Sequence, residues 1–253
     1  MQKHELLGCA VDIGTALLES GADIHRVEEC IGRILVAYNS GDAEVFATPE
    51  SIIVTVNEKE GRPLTRSERI YSRETNLGRV ELLNSLSRKI CETKPSKNQI
   101  YKELEKILSA KRYHPALVTL AYAGIGLSYA LFFGGSITDA LVGCVGALAI
   151  RFLELLLKKH HVNIFFHCIL SSLCAAAIAF IYGHLTGATG YEQAMLGALM
   201  TLVPGIVITN CMRDFIATDY MSGIHGLVEA LLIATGIAIG VALVTALNGG
   251  VVL

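Results

Sequence analysis

The chain has no tryptophan, only five prolines in 253 residues, and a charged fraction of 17%. With 52% of residues hydrophobic, that scarcity of charge excludes an ordinary soluble domain. The net charge of −2 gives nucleic acid no electrostatic reason to bind. Cysteines at CxxC spacing are absent. Cys9, Cys30, Cys91, Cys144, Cys168, Cys174 and Cys211 stand apart, and four lie in apolar segments, so reduced packing residues are expected. There is no HExxH, no GxSxG, no Gly-rich phosphate loop and no aspartate pair within a span. No enzyme activity, cofactor or metal is therefore expected. Met1–Ser20 carries Glu5, Asp12 and Glu19 and lacks the apolar core of a signal peptide.

The charge that is present sits at one end. Residues 1–113 hold 17 of the 21 Lys and Arg and 17 of the 23 Asp and Glu. The expected fold is an N-terminal cytoplasmic α+β domain, residues 1–112, followed by an α-helical membrane domain, residues 113–253. A helix needs about 20 apolar residues to cross the bilayer. Five spans are expected, at about 115–133, 139–157, 162–182, 193–211 and 224–247, the second containing Arg151 and Glu154. Pro115 suits a first helical turn, where its missing N–H costs nothing. Five spans put Lys111-Arg112, Lys158-Lys159 and Arg213 on one side, which the positive-inside rule makes cytoplasmic. The C-terminus then lies outside. Gly236 and Gly240 form a small-xxx-small face suited to close helix packing or to a homo-oligomer.

In the first domain, residues 5–20 and 23–38 repeat apolar side chains near period 3.6, with Gly21 between them and Asp23 as N-cap. "AEVFATP" and "SIIVTVNE" read as strands turned by Pro49-Glu50, and "RPLTRSERI" as a third. Helices are expected at 77–91 and 97–110, the latter capped by Ser96. The patch "HRVEE", His25–Glu29, reads as a solvated helix face with local ion pairs.

The stretches "GADIHRVEE", "LFFGGSITDAL" and "LVPGIVITNCMRDFIATDYMSGIHGLVEALLIA" together resemble the threonine/serine exporter family of bacterial membrane proteins, over about residues 10–243. The resemblance implies a secondary exporter of threonine and serine, or of succinate, in the bacterial inner membrane. Long members of the family carry about ten spans. Five spans resemble the large subunit of the split form, typified by the two-component succinate exporter. That implies a small membrane subunit carrying the second half as partner, with a small carboxylate as substrate.

Pro204 breaks the fourth span, and carbonyls freed there can bind an ion or a polar substrate if they face a cavity. Thr209 and Asn210 add hydrogen-bonding side chains. Arg213 can clamp a carboxylate, with Asp214 and Asp219 orienting it, binding an amino group or carrying a proton. Arg151 is a further substrate contact or pairs with Glu154. Glu229, inside the fifth span with His225 one turn earlier, is the expected proton-coupling residue, with Asp214 and Glu154 beside it in that role. Two other readings stand against the exporter. One is an intramembrane enzyme; the other is a regulatory or structural membrane subunit.

Overall fold

The computed structural model describes residues 2–57, 62–110, 113–158, 162–187 and 191–247. The basic residues Lys111, Arg112 and Lys159, and the expected domain boundary at 112, lie outside these. The chain divides into two compact units, residues 1–111 with 218–222, and residues 112–217 with 223–253.

The first unit follows its periodicities. Helices α1 (Lys3–Glu19) and α2 (Ile24–Ala37) lead into strands β1 (Asp42–Thr48), β2 (Ser51–Asn57) and β3 (Leu64–Arg69), then α3 (Leu77–Thr93) and α4 (Lys97–Leu108). The strands form an antiparallel meander in the order β1-β2-β3. Pro49-Glu50 fixes the register by pairing Thr48 with Ser51, which places Ile52, Val54 and Val56 on one buried face. That face joins Ile13, Leu17, Ile31, Ile34 and Leu83 in one core. Gly21, at φ +85°, ends α1 in a left-handed turn against the backbone of Glu74 and Thr75. Ser96 and Gln99 close a capping box on α4.

Asp12 ties three of these elements together. It accepts hydrogen bonds from Arg66 of β3 at 2.8 Å and from the Tyr101 hydroxyl of α4 at 2.5 Å. Burial, and then the hydrogen bond to Asp12, push the Tyr101 hydroxyl well above the usual tyrosine pKa. The "HRVEE" face is solvated as expected: His25 and Arg26 are exposed, and Glu29 pairs with Arg33 at 2.5 Å. All seven cysteines are unpaired.

The regular elements described after residue 112 are all helices: α5 (Pro115–Phe132), α6 (Ile137–Lys158), α7 (Ile164–Thr186), α8 (Tyr191–Leu199), α9 (Gly205–Ile216) and α10 (Tyr220–Leu247). Among the described residues, four helices are long and apolar enough to cross a membrane: Pro115–Phe132, Ile137–Leu157, Ile164–Thr186 and Tyr220–Leu247. The expected span at 193–211 is two helices, α8 and α9, separated over residues 200–204, where the sequence places a break at Pro204. Proline has no N–H to donate and its ring collides with the preceding turn, so hydropathy runs on where the helix cannot. Arg213 and Asp214, expected just past the end of the fourth span at 211, are helical, because α9 carries on to Ile216.

Glycine lets these helices approach at backbone distance. A Cβ on Gly126 of α5 would lie 2.4 Å from the Gly143 carbonyl oxygen of α6. One on Gly197 of α8 would lie 2.5 Å from the Gly126 carbonyl oxygen. The short helix α8 is wedged there, with Ala194, Gly197, Ala198 and Leu199 buried. Gly236 and Gly240 of α10 face Phe165, Cys168, Ile169 and Ser172 of α7, so the small-residue face seen in the sequence packs within the chain. At its start, α6 is closed by a capping box in which Ser136 and Asp139 bond reciprocally. The buried Asp139 carboxylate also accepts from Tyr182 of α7 at 3.0 Å.

Candidate functional site

Arg151 and Glu154 sit three residues apart on α6 and therefore on one face. Arg151 lies about 21 Å of helix rise from Ile137 and about 10 Å from Lys158 at the other end of α6, within its apolar run. Its side chain is 12% exposed. Arg151 Nη1 donates to Glu154 Oε2 at 2.6 Å. The Tyr122 hydroxyl of α5 donates to the same oxygen at 2.9 Å, and the Arg151 guanidinium carbon stands 5.4 Å from the centre of the Tyr122 ring. The charge is thus balanced by a carboxylate and stacked on an aromatic face. It is not saturated, because Arg151 Nε is buried with no hydrogen-bond partner among the described residues. His167 of α7 is within Coulombic reach of Glu154.

The α8–α9 break belongs to the same layer. Tyr122 and Leu202 both pack on a buried cluster that contains Ile150, the neighbour of Arg151, together with Ala175, Ala198 and Leu199. Ile237 and Val241 of α10 pack there too. Five of the six helices therefore contribute to this apolar cluster, while α5 and α6 supply the hydrogen-bonded group of Tyr122, Arg151 and Glu154. This arrangement can do one thing that a solvated loop cannot: present a guanidinium to an anion in a place from which bulk water is largely excluded.

The other expected residues are distributed along α9 and α10. Thr209 and Arg213 share the exposed face of α9, and Thr209 Oγ1 donates to the Gly205 carbonyl at 2.9 Å. Asn210 and Asp214 are half-buried on its other side. That side meets α10, where Gly223 and Gly226 pack against Phe215 and Cys211. Asp219 precedes α10 and accepts from the Ser222 backbone N–H at 3.3 Å and the Ser222 hydroxyl at 2.8 Å, the geometry of a helix N-cap. Glu229 is half-buried on α10 and His225 is exposed. No hydrogen bond or ion pair joins these two among the described residues, although one helical turn separates them.

Sequence reasoning passed over Tyr122. Its signal was a phenol inside an apolar span, since a buried tyrosine hydroxyl needs a partner. Spacing along one helix finds Arg151–Glu154; it cannot find a donor on another.

The sequence model of the family described as threonine/serine exporters, ThrE, matches residues 9–248. No curated protein and no solved structure matches the chain. The match covers nearly the full length, including both the α+β unit and every apolar helix. The chain is an integral membrane protein that belongs to the threonine/serine exporter family.

Proposed function

We propose that the chain is one half of a proton-driven exporter that moves threonine and serine out of the cell, with Arg151 holding the substrate carboxylate. The observation that carries this reading is the largely enclosed guanidinium of Arg151, whose Nε has no hydrogen-bond partner among the described residues. Arg151 is also the one Lys or Arg within the four long apolar helices. A dicarboxylate such as succinate would call for a second cation at that depth, so an amino acid is favoured. Glu229 is the coupling residue. It has no hydrogen bond or ion pair among the described residues, and an ionisable group within a span is costly to keep charged and marks an ion route. Asp214 and Arg213 on α9 line the approach.

The helices α8 and α9 together make a fifth, broken crossing. Their 9 and 12 residues rise about 14 and 18 Å, close to the roughly 30 Å of a hydrocarbon core. With five crossings the α+β unit and Arg213 lie in the cytoplasm, and the end of α10 lies outside the inner membrane. Helix α5 buries only 11% of its apolar window within the chain, which leaves a face for a second, smaller membrane subunit. A reporter pair placed after α10 tests the count. Alkaline phosphatase there is expected to be active and green fluorescent protein dark. The opposite result means an even number of crossings and retires the broken one.

The function is tested in proteoliposomes loaded with labelled serine, threonine or succinate, with the chain alone and with a split-form partner. Efflux of the amino acids, driven by an imposed proton gradient, is expected with the partner. In Glu229→Gln the gradient should no longer accelerate it. Efflux of succinate alone would overturn the amino-acid reading, and gradient-driven efflux by Glu229→Gln would remove Glu229 from coupling.

A further inference from the structure

The break does more than interrupt a helix. In a continuous helix the Met200 carbonyl would accept from residue 204, which is a proline with no N–H. The Thr201 carbonyl would accept from Gly205, but that N–H turns to Val203 instead, at 2.9 Å. The Leu202 carbonyl would accept from Ile206, and that bond is not formed. Among the described residues no donor reaches any of the three carbonyls, although all three residues are half-buried in a membrane unit. Unpaired backbone carbonyls in such surroundings are costly unless they line a polar cavity or hold a ligand.

We propose that the carbonyl oxygens of Met200, Thr201 and Leu202 form the subsite that receives the ammonium group of the substrate. The inference rests on the reading of Arg151 as the carboxylate clamp. An ammonium offers three donors and no acceptor, which suits three consecutive acceptors. The carboxylates that would compete are placed elsewhere. Glu154 holds Arg151 and Tyr122, and Asp219 caps α10. Asp214 is about 14 Å of helix rise beyond the start of α9, and Glu229 is about 12 Å along α10 from Ile237, which marks the Arg151 layer. Leu202, the last of the three, packs on the cluster of Ile150, Ala198 and Leu199, and so does Tyr122, on which the Arg151 guanidinium stacks, so one small zwitterion can address both.

The test is competition for labelled L-serine binding to the purified full chain. The competitors are glycerate, in which a hydroxyl replaces the ammonium, and serine methyl ester, which keeps the ammonium and lacks the carboxylate. Glycerate is expected to compete at least about a hundredfold more weakly than serine, as losing hydrogen bonds from a charged donor implies. Pro204→Ala, which returns an N–H to the Met200 carbonyl, should narrow that ratio. Glycerate competing as well as serine would overturn the subsite and leave Arg151 in place. The ester competing as well as serine would overturn the Arg151 clamp on which the subsite rests. Absence of serine binding would overturn both. An undiminished ratio in folded Pro204→Ala would also reject the subsite; should that variant not fold, competition on the unaltered chain decides.

Discussion

Gly126→Ala is expected to unfold or disperse the membrane unit, while Gly124→Ala, two residues away, leaves it intact. The two positions are about 200° apart around α5 and so face opposite ways. The added Cβ at 126 would lie 2.4 Å from the Gly143 carbonyl oxygen and 2.7 Å from the Ala147 Cβ. Neither can swing aside as a long side chain would. Gly126 also takes the approach of α8, since a Cβ on Gly197 would meet the Gly126 carbonyl oxygen at 2.5 Å. Overfilling such a contact costs about 1–3 kcal/mol and more where only backbone could yield. A Cβ on Gly124 meets nothing within 4 Å. There alanine should be neutral or gain up to about 1 kcal/mol of helix propensity. Thermal unfolding of the two purified variants, followed by size-exclusion chromatography, measures the contrast. Equal melting temperatures would mean that α5, α6 and α8 do not meet at this node.

How much of this was legible in the sequence depends on the range of the interaction. Contacts set by local spacing were readable. The alternation in "SIIVTVNE" and the turn at Pro49-Glu50 give the β1–β2 register, and Pro204 gives the break. Ser96 and Pro115 mark their helix starts because capping chemistry lies within one turn. Hydropathy alone runs straight through 193–211, because it counts side chains, and only the missing proline N–H reveals the break. It also ends the fourth span at 211, because charge ends an apolar window without ending a helix, whereas α9 runs on to Ile216. The layer around Arg151 was legible only in part. The i, i+3 pair with Glu154 follows from spacing. The Tyr122 hydroxyl on α5, and the packing of Leu202 on the Ile150 cluster, depend on helix–helix contacts that one sequence does not encode locally. Asp219 shows a further ambiguity: a carboxylate three residues before a serine fits a helix cap as well as a ligand contact, and its oxygens bond Ser222.

Arg151→Gln is expected to reduce serine efflux about a hundredfold or more, but that result alone would not separate a substrate clamp from a structural ion pair. Removing one partner of a buried pair costs about 3–5 kcal/mol, and less is expected here because the Glu154 side chain is 32% exposed. Arg151→Gln leaves Glu154 with only the Tyr122 hydroxyl, and Glu154→Gln leaves the 12%-exposed guanidinium with no carboxylate. Each single variant should lower thermal stability. The double variant Arg151→Gln with Glu154→Gln removes both charges and should recover most of it, since the two side chains interact directly and their effects are not additive. Transport should not recover, because the double variant has lost the fork that binds a carboxylate. Arg151→Lys separates charge from shape. Lysine restores a cation for Glu154, yet it lacks the planar fork that takes a carboxylate by two parallel bonds. It should therefore regain stability and still raise the KM for serine. If the stable double variant exports serine normally, Arg151 and Glu154 serve only to pin α5 to α6, and the carboxylate must be held elsewhere. If the double variant is stable and inactive, the guanidinium is needed for transport itself and not only for holding the helices together.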